Sequence, residues 1–231
     1  MRISALEVIL IGRPPELTQG LEGEFLVTPL HALPDAGDML GDRFVGLRGG
    51  PVYAVIVKVT TDEGLEGLGT VGVGNGAAAY VIEHHLKPIA MGQNPFDLEL
   101  LWEKMFRGTL NYGRKGVVLE AISAIDIAIW DILGKATGQP VYNLLGGKTR
   151  ERIPVYASRL YAHQDLDWLA AQADSFRKRG FRAMKQRFGY GPQDGLPGMR
   201  RNVELVRTVR DAVGPDIELM ADAYMGWDVT L

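Results

Sequence analysis

Two cationic side chains stand at alternate positions in the segment Met184-Lys185-Gln186-Arg187, which has the pattern of a short strand. Alternation along a strand places Lys185 and Arg187 on one face and the other two side chains on the opposite face. Because Met184 can pack against a helical layer, the two cations are expected to face the interior. Two neighbouring cations repel each other unless an anion lies between them, and a carboxylate substrate supplies that anion. The alternative is a solvated pair at the end of a strand.

A carboxylate follows on the next predicted strand, in the segment Leu219-Met-Ala-Asp222-Ala-Tyr224. Met220, Asp222 and Tyr224 share one face of that strand. An aspartate at the end of an apolar strand is costly to bury unless a cation or a metal pairs with it. Mg²⁺ accepts carboxylate oxygens together with water and substrate oxygens, so Asp222 is a candidate magnesium ligand. The alternative is a salt bridge to Lys185.

Weaker candidates lie outside the centres of these two strands. His31 lies in a long loop from which it could reach a ligand, and Tyr224 lies at the end of the Asp222 strand, so both are candidate substrate-binding residues. The glycine-rich run 72–76 superficially fits a dinucleotide fingerprint. The strand before it, however, belongs to an antiparallel meander rather than to a βαβ unit, so nucleotide binding is disfavoured.

The elements that must position these residues differ between the two parts of the chain. Residues 1–73 predict antiparallel β structure, and helical periodicity follows as far as Gly138. The predicted strands are Ser4–Leu10, Tyr53–Thr60 and Leu68–Val73, and the predicted helices are Ala77–Ile89, Pro95–Phe106 and Arg114–Thr137. The long stretch from Pro14 to Pro51 is rich in glycine and is either a lid or binding loop, or a mobile surface excursion.

Strands and helices alternate after Gly146 and Gly147, which is typical of parallel β structure with right-handed crossovers. The predicted elements are, in order, strand Ile153–Ser158, helix Leu166–Arg179, strand Ala183–Arg187, helix Met199–Val213 and strand Ile217–Tyr224. Repeats of this size suit a (β/α) barrel or a doubly wound sheet. Both folds bind ligands at the carboxyl ends of their strands, where Arg187 and Asp222 lie.

The composition of the 231 residues excludes several classes of protein. With 46% hydrophobic and 23% charged residues, the chain has the make-up of a globular protein rather than a disordered one. A net charge of −3 gives no electrostatic reason to expect nucleic acid as a partner. The absence of cysteine excludes disulfides and thiolate chemistry. No apolar run reaches the length of a membrane span, and a cytoplasmic location without membrane partners is expected.

The run from Ala121 to Lys135, followed by Gly138-Gln-Pro140 and by Leu144-Leu-Gly-Gly147, resembles the mandelate racemase/muconate lactonising branch of the enolase superfamily. This resemblance implies an α+β capping domain, here residues 1–140, followed by the first part of a (β/α) TIM-type barrel. Residues 141–231 would form the first three β/α units of that barrel. The resemblance also implies one Mg²⁺ that binds a substrate carboxylate, and a homo-oligomer is expected.

Within that branch, the segment Gly191-Pro-Gln-Asp194-Gly195, followed by 198–202, is similar to acid-sugar dehydratases of the rhamnonate type. The resemblance implies a hydro-lyase acting on a small acid-sugar carboxylate, with Asp222 as the first metal ligand and with Lys185 and Arg187 as catalytic residues. Arg187 stands where racemases and cycloisomerases place a catalytic lysine. Arginine keeps its proton, so it is a poor base and a good anion clamp. This substitution favours β-elimination with one base over racemisation.

A complete barrel of this type takes about 250 residues, whereas residues 153–231 hold three predicted strands. By resemblance, two further acidic metal ligands and a histidine base are expected on later strands. We therefore expect the chain to be part of a longer protein. The alternatives are a racemase, epimerase or cycloisomerase of the same family, and a non-catalytic fragment.

Overall fold

The computed structural model describes residues 1–12, 23–33, 52–72 and 76–229. These residues form two units. The described residues of the first unit are 1–12, 52–72 and 76–151, and those of the second are 23–33 and 152–229. Segment 23–33 therefore groups with residues that follow it by more than a hundred positions. A division of the chain near residue 140 stays a prediction.

The first unit contains an antiparallel sheet of strands β1 (Ile3–Gly12), β3 (Val52–Thr61) and β4 (Glu66–Thr70), with β3 in the centre. Burial alternates along β3, where Val55, Val57 and Val59 are fully buried and the residues between them are only partly buried. Such alternation lets one face of an antiparallel sheet pack on a core while the other faces solvent. The three strands predicted for this part of the chain are present, although the last one ends at Thr70 rather than at Val73.

The helices of this unit share an apolar core with the buried face of that sheet. They are α1 (Gly76–Val81), α2 (Lys87–Ala90), α3 (Leu98–Gly108), α4 (Val117–Thr137) and α5 (Val141–Leu144), with a π-helical turn at Ile82–Leu86 between the first two. The predicted helix Ala77–Ile89 is thus interrupted by a wider turn. Helix α4 ends at Thr137 and is followed by Gly138, whose φ of 66° gives the left-handed conformation that commonly stops a helix.

Two glycines let strand β4 lie directly against helix α4. A β-carbon at Gly67 would lie 2.0 Å from the carbonyl oxygen of Ala128, and one at Gly69 would lie 1.8 Å from that of Ala124. Asp131 on α4 accepts a hydrogen bond from the backbone N–H of Leu68 at 3.0 Å, so this carboxylate joins the helix to the strand edge. The pattern Gly-x-Gly therefore sets the depth of the contact.

The second unit is built on a parallel sheet of strands β5 (Ala157–Leu160), β7 (Ala183–Arg187) and β8 (Glu218–Asp222), with β7 in the centre. Helix α6 (Leu166–Lys178) connects β5 to β7, and helix α7 (Gly195–Val213) connects β7 to β8. Asp165 caps the first turn of α6 by accepting hydrogen bonds from Asp167 N and Trp168 N. The short strand β2 (Glu24–Phe25) pairs with β6 (Ala162–His163).

The first strand of the parallel sheet begins later than the sequence predicted. Ile153 and Val155 are exposed, and the strand starts at Ala157 rather than at Ile153. Pro154 has no N–H to donate to a ladder, which explains why the apolar residues around it do not join the sheet. The predicted lid or surface loop Pro14–Pro51 lies outside the described residues at 14–22 and 34–51, and so does the centre of the glycine-rich run at 73–75.

No helix in the described ranges combines the length and the apolar character that crossing a bilayer requires.

Candidate functional site

Strand β7 presents its two cations on one face, as the alternation predicts. Met184 and Gln186 on the other face are buried, with exposures of 0% and 2%, whereas Lys185 and Arg187 are partly exposed. Met184 packs in an apolar core with residues of α6 and α7 such as Leu169. The cations are therefore held on a rigid strand with their charged ends accessible.

Strand β8 brings the carboxylate of Asp222 to these cations. In the parallel register Arg187 lies opposite Asp222, and Lys185 lies opposite Met220. The Lys185 Nζ donates a hydrogen bond of 2.9 Å to Asp222 Oδ2, and the backbone N–H of Tyr224 donates one of 2.9 Å to Oδ1. Both carboxylate oxygens are thus engaged, and the salt bridge that the sequence offered as an alternative is present.

The Asp222 carboxyl is held in its ionised form. Burial by itself would raise its pKa, but the hydrogen bonds from Lys185 and from the Tyr224 backbone, together with the charges of Lys185 and Arg187, outweigh burial. The net result is an Asp222 pKa below the ordinary value. An ionised carboxylate at this position is the form that binds a cation.

The guanidinium of Arg187 lies among aromatic rings. Its Nη1 donates a hydrogen bond of 3.1 Å to the hydroxyl of Tyr161, and its carbon Cζ lies 4.7 Å from the centre of that ring and 5.4 Å from the centre of the Tyr224 ring. Within the described residues, the buried Nε of Arg187 has no hydrogen-bond partner. Aromatic faces stabilise a guanidinium without neutralising it, so its charge stays available for an anion.

Tyr224 occupies a strained turn immediately after β8. Its φ is 49°, and that of Met225 is 58°, both in the left-handed region that residues other than glycine rarely adopt. Burial raises the pKa of the Tyr224 phenol, and the Arg187 charge offsets that effect only in part. The phenol therefore keeps its proton and can act as a hydrogen-bond donor beside Arg187.

Segment 23–33 contacts the parallel strands near their carboxyl ends. Glu24 on β2 forms a salt bridge of 3.0 Å with Arg159 on β5, and Val27 N donates to the carbonyl oxygen of Phe188 just after β7 at 2.9 Å. A β-carbon at Gly189 would lie 2.2 Å from the ring of Phe25, so glycine at this position is needed for the close approach. These contacts carry the segment to the same end of the sheet as Arg187.

His31 is the sequence candidate that the structure places differently from the other four. It lies in a 3₁₀ turn (Pro29–Ala32), where its Nδ1 accepts a hydrogen bond of 3.0 Å from the backbone N–H of Thr28. A β-carbon at Gly191, in the loop after β7, would lie 3.4 Å from His31 Cβ. Among the described residues, its hydrogen bonds are to Thr28 and not to the group formed by Lys185, Arg187, Asp222 and Tyr224.

Tyr161 and the Glu24–Arg159 pair were missed by reasoning from the sequence. Tyr161 follows directly after the carboxyl end of β5. The carboxyl end of a parallel strand is also the position that made Asp222 on β8 a candidate. The strand predicted at Ile153–Ser158 ends before Tyr161, so the sequence does not identify Tyr161 as a residue at a strand end. The pairing of Glu24 with Arg159 joins positions 135 residues apart, and nothing in the local sequence signals it.

The donor set fits a metal ion only in part. Asp222 supplies one carboxylate, and the described part of the chain holds no group of three or more acidic, histidine or cysteine side chains that could enclose a metal. Each carboxylate oxygen has more than one lone pair, so the hydrogen bonds to Asp222 leave acceptor capacity for a cation. Mg²⁺ characteristically uses one or two carboxylates with water and substrate oxygens, so Asp222 can be one of its ligands.

Comparison with known proteins gives two family matches in chain order. Residues 51–146 match the model of the mandelate racemase/muconate lactonizing enzyme N-terminal domain, and residues 168–230 match the model described as enolase C-terminal domain-like. The two matches together span more than half of the chain.

Three matches whose names give rhamnonate dehydratase extend across both units of this chain. A protein named L-rhamnonate dehydratase from Saccharopolyspora erythraea is 39% identical over 76% of this chain and 42% of its own length. The crystal structure of L-rhamnonate dehydratase from Gibberella zeae is 32% identical with a TM-score of 0.76, over 99% of this chain and 53% of that one. A second structure of the Gibberella enzyme, complexed with Mg, is 29% identical with a TM-score of 0.73, over 99% of this chain and 54% of that one. The chain thus spans about half the length of these relatives.

Proposed function

This chain belongs to the mandelate racemase/muconate lactonizing enzyme family of the enolase superfamily, and we propose that it forms part of a Mg²⁺-dependent acid-sugar dehydratase. The observation that carries the proposal is the group of Lys185, Asp222 and Arg187 on adjacent parallel strands. It combines an ionised carboxylate, a paired ammonium and a guanidinium among aromatic rings. The similarity to proteins named L-rhamnonate dehydratase supports the choice of substrate class.

The proposed reaction converts an aldonic acid such as L-rhamnonate into a 2-keto-3-deoxy acid. A base removes the proton from the carbon next to the carboxylate, and the C–O bond at C3 breaks. The 3-hydroxyl leaves as water after it accepts a proton from an acid. The remaining enol takes up a proton at C3 and becomes the 2-keto product, so the net change is the loss of one water molecule.

Arg187 is the proposed carboxylate clamp for this reaction. An arginine guanidinium is a positively charged group that presents N–H donors in a fork that matches a carboxylate. Tyr224 is a phenol whose pKa burial raises further above neutrality, so it can donate a hydrogen bond to a substrate oxygen beside the clamp. His31, which lies in segment 23–33, is the other residue proposed to bind the substrate.

Lys185 is the proposed proton-transfer or polarising group. Its ammonium is fixed by the hydrogen bond to Asp222 and its Nζ lies 5.9 Å from the centre of the Tyr156 ring. A positioned ammonium can stabilise charge on the substrate or deliver a proton to the leaving hydroxyl. The principal base, by resemblance, is a histidine on a later strand.

Asp222 is the proposed magnesium ligand within this chain. When bound, a divalent ion would supply electrostatic stabilisation to the carboxylate of a substrate that is losing its neighbouring proton. The part that Asp222 itself plays is to keep a negative charge at the strand end, which its lowered pKa permits at neutral pH.

A racemase or epimerase of the same family is the alternative activity. Such an enzyme needs a base on each face of the carbon that loses its proton. Arg187 cannot serve as that base because it does not give up its proton. The arrangement of the two cations therefore favours elimination. The barrel formed by later strands, the homo-oligomer and the cytoplasmic location stay predictions.

The experiment that tests this proposal uses the full-length protein with Mg²⁺ and a panel of acids: L-rhamnonate, L-mannonate, D-galactonate and D-gluconate. We expect at least one member to yield a 2-keto-3-deoxy acid, detected as its semicarbazone by ultraviolet absorption. Matched samples with EDTA in place of Mg²⁺ are expected to give no product. Failure of every acid on the panel to lose water would contradict the proposal.

A further inference from the structure

Tyr161 contacts both arginines of the parallel sheet, Arg159 and Arg187. It follows directly after β5 and is 8% exposed. The Cζ of Arg187 lies 4.7 Å from the centre of its ring, and the Cζ of Arg159 lies 4.8 Å from the same centre. Its hydroxyl accepts the hydrogen bond from Arg187 Nη1. One side chain thus contacts both guanidinium groups.

Arg159 is itself held in place by a buried acid. Glu24 Oε2 accepts the hydrogen bond of 3.0 Å from Arg159 Nη1, and the Glu24 side chain is only 4% exposed. Glu24 Oε1 is buried without a hydrogen-bond partner among the described residues, so its interaction with Arg159 is the contact that compensates for burying this acid. Glu24 therefore binds Arg159 through a salt bridge, and Arg159 lies over the ring of Tyr161. Tyr161 in turn contacts Arg187 through its ring and its hydroxyl.

Arg187 is held by a hydrogen bond to Tyr161 and by contacts with the rings of Tyr161 and Tyr224. Among the described residues, the guanidinium makes this one hydrogen bond, and its Nε is buried without a partner. A free arginine side chain loses conformational freedom when it is fixed, and a binding substrate would otherwise have to compensate for that loss. A guanidinium that is already held leaves more of the binding energy for the substrate.

We propose that Tyr161 is a positioning residue for Arg187, and that the Glu24–Arg159 pair positions Tyr161 in turn. This inference rests on the proposed role of Arg187 as the carboxylate clamp. Tyr161 acts through the guanidinium and not on the substrate. Segment 23–33 thereby contributes to substrate affinity through Glu24, in addition to any contact made by His31.

The first test replaces Tyr161 by phenylalanine in the full-length protein, which keeps the ring against both arginines and removes only the hydroxyl. With L-rhamnonate and Mg²⁺, we expect Tyr161→Phe to raise KM by about 5- to 50-fold and to change kcat by less than about threefold. Tyr142→Phe, an exposed tyrosine of the first unit, is the control and should leave both constants unchanged. Circular dichroism and thermal melting establish that each variant is folded.

The second test concerns the acid. Glu24→Gln keeps the shape of the side chain and removes the charge that holds Arg159, so KM is expected to rise several-fold in the same direction. The matched control is Glu204→Gln, which weakens the surface pair of Glu204 with Arg201, where the two side chains are 44% and 58% exposed. Exposed pairs contribute little, so this control should leave KM unchanged.

The double variant Tyr161→Phe/Arg187→Ala distinguishes the failure of this inference from the failure of the proposed clamp. If Tyr161 acts through Arg187, the double variant should have the same KM as Arg187→Ala alone. An unchanged KM in Arg187→Ala would overturn the clamp itself. A raised KM in Arg187→Ala with an unchanged KM in Tyr161→Phe would overturn only the role of Tyr161. A further rise of KM in the double variant would assign Tyr161 to direct substrate binding and would also overturn the inference.

Discussion

The ammonium of Lys185 lies 2.9 Å from Asp222 Oδ2, across the boundary between two neighbouring parallel strands. Both side chains are partly exposed, at 20% and 29%, so the pair faces the surface where a ligand can reach it. A salt bridge and a metal ligand are compatible roles for Asp222, because its oxygens retain acceptor capacity after these hydrogen bonds. The pair also keeps the carboxylate ionised before any other cation arrives.

Replacing Asp222 by asparagine tests its role as a metal ligand. The asparagine side chain keeps the shape of the aspartate and can still accept the hydrogen bond from Tyr224 N, so the fold should persist. The loss of the charged ligand is expected to weaken Mg²⁺ binding by about tenfold or more, equivalent to about 1.4 kcal/mol, and to abolish turnover. Calorimetric titration with Mg²⁺ measures the affinity. Unchanged affinity would leave Asp222 with the structural salt bridge alone.

Replacing Lys185 should mainly lower kcat, whereas replacing Arg187 should mainly raise KM. Lys185→Ala is expected to lower kcat by about 100- to 10,000-fold, because it removes a group placed for proton transfer. Arg187→Ala is expected to raise KM by about 10- to 100-fold with a smaller effect on kcat, because it removes charged hydrogen bonds to the substrate. Steady-state kinetics of the full-length variants measures both constants. The reverse pattern would exchange the roles assigned to the two cations.

Stability should depend on pH through Asp222. Because the pKa of Asp222 is lower in the folded protein than its ordinary value of about 3.9, its ionised form stabilises the fold above about pH 4. That contribution is lost as pH falls through the lowered pKa. The difference in thermal midpoint between the wild type and Asp222→Asn should therefore shrink between about pH 6 and about pH 3. A difference that stays constant over this range would show that the charge of Asp222 does not contribute.

The contact between β4 and α4 should tolerate no side chain at Gly69. Alanine there would place a β-carbon 1.8 Å from the carbonyl oxygen of Ala124, which belongs to helix backbone and cannot rotate away. Gly69→Ala is expected to destabilise the protein by about 1 to 3 kcal/mol, measured by chemical unfolding. Gly72→Ala is the control, since no atom of the described residues lies within 4 Å of a β-carbon at that exposed position, and it should change stability by less than about 0.5 kcal/mol. Equal effects of the two substitutions would contradict the close contact.

Strand β7 was predicted from the sequence with the same bounds that the structure gives it. Its alternation of apolar and charged residues requires one face to be buried, and that requirement also placed Lys185 and Arg187 on the same side. Asp222 followed from the same argument applied to the next strand. Local pattern was enough in these cases because each side chain is positioned by the strand that carries it.

Other parts of the site depend on contacts between distant positions. The apolar residues Ile153 and Val155 favoured a strand that Pro154 prevents, and the true carboxyl end of β5 beside Tyr161 was therefore overlooked. Segment 23–33 reaches the strand ends through Glu24 and Arg159, which are 135 positions apart. A pattern within one element carries no information on such a pairing, so the support behind Arg187 could be found only in three dimensions.

We propose that this chain belongs to an enzyme that eliminates water after removing the proton next to a carboxylate. The most direct measurement is proton NMR of the full-length protein with Mg²⁺ and L-rhamnonate in D₂O, followed over time. We expect the substrate signals to disappear as a 2-keto-3-deoxy product forms with one deuterium at C3, acquired when the enol takes up a solvent deuteron. Exchange of the C2 proton for deuterium with inversion of configuration and no loss of water would contradict it and assign the chain to a racemase or epimerase.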